Sequence, residues 1–88
     1  MIAVYISPES MTVEQYNRIS QRLEASEAPE KGRKHHSCFD EDGHLMVFDI
    51  GESQEQYDAF AAHLLPVLKD EGISGSAPAV IPVVNVVQ

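Results

Sequence analysis

Short, dense apolar runs at the two ends of the chain are typical of β-strands. The run IAVYI at Ile2–Ile6 is β-branched and aromatic and stops at Ser7-Pro8, so it predicts a buried strand. The run VIPVVNVV at 80–87 predicts the last strand. Because proline has no N–H to donate to a neighbouring strand, Pro82 indicates that this strand lies at an edge of its sheet.

A stretch with helical spacing follows the first strand. Thr12 and Gln15 form the T-x-x-Q pattern of a capping box, which predicts that a helix starts here. Its apolar stripe comprises Tyr16, Ile19 and Leu23. These residues therefore predict an amphipathic helix with one face towards the core.

A second amphipathic helix is predicted after Ser53, where Gln56 lies three residues later and indicates another capping box. Its stripe comprises Tyr57, Phe60, Ala61, Leu64 and Leu68. Pro66 lies inside this pattern and is expected to kink or loosen the helix. Gly72 followed by the apolar Ile73 predicts a Schellman ending.

Residues 33–50, RKHHSCFDEDGHLMVFDI, predict a β-hairpin. A two-residue turn at Asp42-Gly43 pairs Glu41 with His44, whereas a four-residue loop at 40–43 pairs Phe39 with His44. In both registers one face carries Arg33, His35, Ser37, Phe39, Met46, Phe48 and Ile50, and the other carries Lys34, His36, Cys38, Leu45, Val47 and Asp49. A three-residue loop would break this sorting.

The order strand, helix, strand, strand, helix, strand predicts one α+β domain over residues 1–88 with the ferredoxin-like βαββαβ arrangement. Right-handed crossovers place the first and third strands side by side in a four-stranded antiparallel sheet, with the second and fourth strands at its edges. Two helices cover only one face of such a sheet. Since the third and last strands are apolar on both faces, we expect an isologous homodimer to cover the other face.

Composition narrows the classes of function. Six basic residues against fourteen acidic ones give a formal charge of −8, which repels phosphate groups and argues against nucleic acid and anionic membranes as partners. The 43% of hydrophobic residues argues against disorder. Cys38 is the only cysteine, and with no secretory signal or membrane span in the sequence we expect a soluble cytoplasmic protein.

The segment HLMVFDIGESQEQYDAFAAHLLPVL, at 44–68, resembles the antibiotic-biosynthesis-monooxygenase-like branch of the dimeric α+β-barrel superfamily and its small uncharacterised relatives. The shared pattern is a strand, an aromatic residue, a Ser or Asp cap, an acidic helix start and a helical histidine, here His63. Gly51 stands where these proteins carry an aromatic residue, commonly Trp. The resemblance implies ferredoxin-like protomers packed sheet against sheet, with a cavity between sheet and helices and no metal or organic cofactor.

The same resemblance places the cavity on the sheet face that includes positions 47, 49 and 51. The predicted pocket residues are Cys38, Val47, Gly51 and His63. Asp49 is an acidic residue inside an apolar strand, which is uncommon unless it is paired. Its partner is Lys34 in one register and His36 in the other. A pair of His36 and Asp49 would form a proton acceptor in which the aspartate fixes the imidazole tautomer.

Two functions follow from these patterns. The first is a cofactor-independent monooxygenase-like enzyme that acts on an apolar or aromatic small molecule, with His36 as the base and Asp49 orienting it. The alternative is a non-catalytic module that binds a small ligand or serves only dimerisation. A metal site is disfavoured because the adjacent His35 and His36 point to opposite faces of a strand. Cys38, within an apolar strand, is more typical of an inert small hydrophobe than of a nucleophile.

Overall fold

The computed structural model describes residues 1–28, 31–74 and 78–87. Its elements are β1 (Ile2–Ile6), α1 (Val13–Ala25), β2 (Arg33–Glu41), β3 (His44–Gly51), α2 (Gln54–Asp70) and β4 (Ala79–Pro82). The sheet is antiparallel with the strand order β2-β3-β1-β4. The predicted ferredoxin-like α+β fold is thus confirmed, as is the prediction that the second and fourth strands form the edges.

The start of α1 is fixed by the predicted capping box. The Gln15 N–H donates to the Thr12 hydroxyl at 3.1 Å, and the Thr12 N–H donates to the Gln15 side chain at 2.9 Å. At the other end the Ala28 N–H donates to the Leu23 carbonyl at 3.2 Å, with Glu27 in the left-handed region at φ 56°. The sequence gives no sign of this Schellman ending, because glutamate takes the position that glycine usually fills.

The start of α2 differs in one detail from the prediction. The Ser53 hydroxyl accepts from the Gln56 N–H at 3.2 Å, as a cap should, but it also donates to the Gln56 side chain at 3.3 Å. The predicted reciprocal bond of a capping box is therefore replaced by a contact between the two side chains. The helix then runs through Pro66 without interruption to Asp70.

The Schellman ending of α2 is confirmed. The Ile73 N–H donates to the Leu68 carbonyl at 3.0 Å, and Gly72 has a φ of 75°. Ile73 is buried and completes the apolar contact of the motif.

The hairpin has the two-residue turn. Asp42 and Gly43 both have positive φ, 52° and 88°, as a type I′ turn requires, and Glu41 pairs with His44. This register places His36 directly opposite Asp49. Of the two partners that the sequence left open for Asp49, the sheet thus selects His36.

A β-bulge between Arg33 and His35 overturns part of the predicted face assignment. The ladder pairs His35 with Ile50 but Arg33 with Gly51, so one extra residue, Lys34, lies between them. Arg33 therefore lies on the helix face of the sheet, where the alternation had placed Lys34. Lys34 instead forms an ion pair with Glu52 at 3.6 Å.

The last strand is shorter than predicted. The interpretation of 80–87 as one strand is wrong beyond Pro82, because β1 begins at Ile2, the partner of Pro82, and the ladder ends with that pair. The Val83 N–H still donates to the Met1 carbonyl at 3.0 Å. Val84 is 99% exposed, so the apolar residues after the strand contribute little to the core.

The core lies between the helices and one face of the sheet. Its buried side chains come from both helices and from β1 and β3, together with Met11 and Ile73. By the strand register, the other face carries Ala3, Tyr5, His35, Ser37, Phe39, Met46, Phe48, Ile50, Ala79 and Ile81. On this open face Phe39 is 48% exposed and Ile81 is 55% exposed. Within the described ranges, neither helix is long and apolar enough to cross a membrane.

Substitutions at the left-handed positions that end the two helices should change the free energy of unfolding in opposite directions. Glu27→Gly should raise the free energy of unfolding by about 0.5 to 1 kcal/mol, because glycine adopts the left-handed conformation without a steric penalty. Gly72→Ala should lower the free energy of unfolding by about 1 kcal/mol, because alanine meets a steric penalty in the left-handed conformation. No atom lies within 4 Å of a Cβ built at Gly72, so that cost comes from the backbone alone. Urea denaturation measures both changes, and shifts of the same sign would contradict this account of the helix ends.

Candidate functional site

The larger of two neighbouring cavities, hereafter the main cavity, lies between the helix face of the sheet and the two helices. It has a volume of about 400 Å³, within the range of small-molecule sites. Most of its lining is apolar and comes from β1, β3, α1 and α2. The polar lining residues are Tyr16, Ser20, Glu24, Arg33, His36 and Asp49. The cavity therefore combines an apolar body with a set of titratable side chains.

Among the residues that the structure describes, Asp49 is the buried charged residue. It is 8% exposed and lies in the middle of β3, where an unpaired carboxylate would be costly. Its Oδ1 lies 2.5 Å from the Nδ1 of His36 on the neighbouring strand. A carboxylate can only accept a hydrogen bond, so Nδ1 of His36 carries the proton and donates it. In the neutral imidazole this leaves Nε2 as the acceptor.

Tyr16 supplies the partner for that second nitrogen. Its hydroxyl lies 2.6 Å from Nε2 of His36, and the two rings are nearly parallel, with an interplanar angle of 7°. Burial, together with the nearby Cys38 and Asp49, raises the pKa of the Tyr16 phenol, whereas a hydrogen bond with the Ser20 side chain and the positive charge of Arg33 lower it. The phenol thus keeps its proton at neutral pH and donates it to Nε2.

Tyr16 was not predicted as a site residue, because its spacing fits the apolar stripe of α1. The available signal was chemical: a tyrosine on a buried stripe brings a hydroxyl that needs a hydrogen-bond partner. Asp49, His36 and Tyr16 therefore form a continuous hydrogen-bonded series across β3, β2 and α1.

Arg33 joins this group because of the β-bulge. The bulge turns its side chain to the helix face, where it lines the main cavity together with His36 and Asp49. Its influence on the Tyr16 phenol indicates that the guanidinium lies within electrostatic reach of the hydroxyl. The polar end of the cavity thus contains a fixed positive charge beside the hydrogen-bonded series.

The remaining predicted pocket residues are distributed around this site. Val47 lines the main cavity, and Gly51 lines a neighbouring cavity of about 30 Å³ that also includes Asp49. Cys38 is partly buried against the core and His63 is exposed on α2; neither is among the lining residues of these two cavities. Burial, reinforced by Asp40, raises the pKa of the Cys38 thiol, which makes it a poor nucleophile.

The structure offers no ready metal site in the part of the chain it describes. No group of three or more His, Cys, Asp or Glu residues there is close enough together to hold an ion.

Comparison with known proteins gives a likeness in structure alone. Neither a model of a known family nor any curated protein matches the sequence. Among solved structures, a proposed antibiotic biosynthesis monooxygenase from Nitrosomonas europaea superposes with a TM-score of 0.69 over 97% of this chain and 100% of that one, at 8% identity. SnoaB, a cofactor-independent oxygenase from Streptomyces nogalater, has a TM-score of 0.63 and 14% identity, with coverage of 97% and 92%.

This chain has the fold of the antibiotic biosynthesis monooxygenases. The same architecture also occurs in Foldit4, a de novo designed protein with a TM-score of 0.57 and 17% identity that covers 90% of this chain and 91% of its own. A designed protein can thus share the fold, so the fold does not specify an activity. Function is therefore to be inferred from the residues of the site.

The smaller cavity contains an unusual hydroxyl. The Tyr57 side chain lies on α2, and among the residues that the structure describes its buried oxygen has no hydrogen-bond partner. Burial, with the nearby Asp49 and Asp58, raises the pKa of this phenol to about 12. A buried hydroxyl without a partner destabilises the fold by about 1 to 3 kcal/mol.

We therefore predict that Tyr57→Phe leaves the free energy of unfolding unchanged or raises it at neutral pH. Above pH 10 the unfolded chain loses the Tyr57 proton before the folded chain does, so the stability of the wild type falls as the pH rises from about 10 to 12. Tyr57→Phe should therefore lose less stability than the wild type over this pH range, because it lacks the ionisable hydroxyl. Denaturation at pH 7 and across the alkaline range measures both effects, and a loss of stability at pH 7 would mean that the hydroxyl has a partner.

Proposed function

We propose that this protein is a cofactor-independent, monooxygenase-like enzyme that acts on an apolar or aromatic small molecule. The observation that carries the proposal is the Asp49 carboxylate, buried in the sheet and 2.5 Å from His36, at the polar end of an apolar cavity of about 400 Å³. His36 serves as the proton acceptor and Asp49 orients it. The structural likeness to SnoaB, a cofactor-independent oxygenase, supports the same class of chemistry.

The chemistry needs only a base and molecular oxygen. Removal of a proton from an apolar carbon acid or phenol leaves an electron-rich anion, which reacts with oxygen directly. For a substrate methylene group, the net reaction replaces the two hydrogens with one oxygen atom, and the second oxygen atom leaves as water. The protein contributes a positioned base, an apolar cavity beside it, and an aspartate that stabilises the imidazolium.

The lining of the cavity supports this substrate class. Its apolar walls favour a molecule with a large hydrocarbon surface, because burial of that surface drives binding. Arg33 lies at the same end as His36 and Asp49, where negative charge would develop on a deprotonated substrate. A cation at that position stabilises the anion relative to the neutral substrate.

One observation favours the alternative, a module that binds a small ligand or only dimerises. Gly51 contributes no side chain to the smaller cavity, at the position where the resembling proteins carry an aromatic residue. Under this alternative a ligand binds with similar affinity to the wild type and to His36→Ala, and no product forms. Turnover by the wild type excludes it.

We infer that the open face of the sheet packs against a second copy of the chain. The face runs across all four strands and bears Phe39 and Ile81 largely exposed, while both helices lie on the opposite side. A contiguous apolar face of this kind is unusual on a monomer. A two-fold axis lets the same face cover itself, which also compensates for the limited core of a domain of 88 residues.

The proposed base predicts a large effect of His36→Ala on catalysis. Oxygen uptake with apolar carbon acids such as anthrone measures turnover. The variant should lose about 100-fold or more in kcat, because a positioned base contributes about that factor. The matched control is His44→Ala, which removes an exposed histidine at the far end of the hairpin and should retain the wild-type rate. Undiminished turnover by His36→Ala would remove His36 from the mechanism.

The proposed dimer predicts that Ile81→Lys and Phe39→Asp yield monomers, because each places a charge within the apolar face. Native mass spectrometry and sedimentation equilibrium distinguish the two states. Leu65→Gln, which changes an exposed apolar residue on the helical side, should leave the dimer intact. A monomeric wild type at micromolar concentration would refute the inference about the open face.

A further inference from the structure

The geometry points to Tyr16 as the catalytic residue that contacts the substrate: its hydroxyl oxygen accepts the substrate proton while its own proton passes to Nε2 of His36. This inference rests on the proposed function and changes which atom meets the substrate. It also narrows the substrate to an apolar molecule that presents an acidic O–H, an enol or a phenol, to the hydroxyl of Tyr16.

Both ring nitrogens of His36 are occupied in the structure. Nδ1 donates to the Asp49 carboxylate, and Nε2 accepts from the Tyr16 hydroxyl at 2.6 Å. An imidazole has only these two nitrogens, so His36 presents no free lone pair to the cavity. A substrate that approached Nε2 directly would first have to break the bond between His36 and Tyr16.

The Tyr16 oxygen has the lone pair that His36 lacks. A hydroxyl has one proton to donate and two lone pairs with which to accept. Here the proton is committed to His36, and the Ser20 side chain hydrogen-bonds the oxygen, which leaves one lone pair for a ligand. Tyr16 also lines the cavity on the α1 side. Towards a ligand in the cavity it therefore acts as a hydrogen-bond acceptor, and a ligand with an O–H group satisfies it.

The proton transfer balances without a tyrosinate. The substrate O–H bond breaks and leaves its electron pair on the substrate oxygen, while a new O–H bond forms on Tyr16. The original Tyr16 O–H bond breaks, and that proton forms an N–H bond at Nε2 of His36. Tyr16 ends as a neutral phenol, His36 becomes an imidazolium beside the Asp49 carboxylate, and the substrate becomes an anion.

The surroundings of Tyr16 suit this role better than that of an independent base. Burial raises the pKa of the phenol, which disfavours a free tyrosinate as the resting state. A relay avoids that state, because proton loss to His36 is coupled to proton gain from the substrate. Arg33, at the same end of the cavity, faces the negative charge that the substrate acquires.

The first test compares Tyr16→Phe with His36→Ala in the oxygen-uptake assay with anthrone, which presents the acidic O–H as its enol. The relay predicts that both variants lose about 100-fold or more in kcat, and that the double variant is no worse than His36→Ala. Tyr57→Phe is the matched control, because it removes a phenolic hydroxyl outside the series and should keep the wild-type rate. If Tyr16→Phe is as active as the wild type while His36→Ala is inactive, His36 acts directly and only the relay is wrong. If His36→Ala keeps the wild-type rate, His36 is not the base and the relay fails with it, whereas absence of turnover by the wild type would contradict the proposed function.

A second test needs no turnover and uses 1-naphthol, an apolar phenol whose absorbance and fluorescence report its ionisation. Bound to the wild type, 1-naphthol should show an acid dissociation constant at least about tenfold larger than in water, because the series takes up its proton. Tyr16→Phe should bind 1-naphthol but remove this increase, and Tyr57→Phe should preserve it. An equal or larger increase in Tyr16→Phe would overturn the relay. Failure of 1-naphthol to bind the wild type would contradict the substrate class on which the relay depends.

Discussion

The buried carboxylate of Asp49 determines how the polar residues of the site are arranged. A charge in the middle of β3 would be too costly without a partner, and the sheet provides one in His36, directly across the ladder. That single contact fixes the tautomer of the imidazole, which in turn determines that Nε2 accepts from Tyr16. A helix and two strands are thus joined by one series of hydrogen bonds at the end of the main cavity.

Much of this arrangement follows from local sequence chemistry. Asp42-Gly43 supports positive φ at both turn positions, and the turn type then fixes the register that brings His36 to Asp49. The capping box at Thr12 and the Gly72-Ile73 ending set helix boundaries within a residue or two, since each depends on side chains close in sequence. The order of elements was enough to predict the fold.

Other features depend on contacts that are distant in sequence. The alternation of β2 could not reveal the bulge at Lys34, so Arg33 was assigned to the wrong face. β4 ends where its partner strand β1 begins, at the pair of Pro82 and Ile2. The residues at 80–87 alone cannot indicate where that partner strand begins. Tyr16 looked like a core residue because spacing reports where a side chain points but not which polar group it meets there. These are cases in which tertiary pairing decides what a local pattern leaves open.

The two faces of the sheet have different surroundings. The helix face forms the cavity and its hydrogen-bonded series, while the open face exposes apolar side chains. Edge strand β2 contributes to both faces, with His36 on one side and Phe39 on the other. In the proposed dimer, a second copy packed against the open face would also stabilise the strand that carries His36.

Asp49 is inferred to hold His36 with the proton on Nδ1 and with Nε2 as a hydrogen-bond acceptor. Long-range nitrogen–hydrogen NMR correlation of the histidine rings at neutral pH measures this directly. In the uncharged ring the proton is expected on Nδ1, and Asp49→Asn is expected to shift the ring towards a mixture of tautomers. An uncharged wild-type ring with its proton on Nε2 would contradict this arrangement, because it could then neither donate to Asp49 nor accept a proton from the cavity.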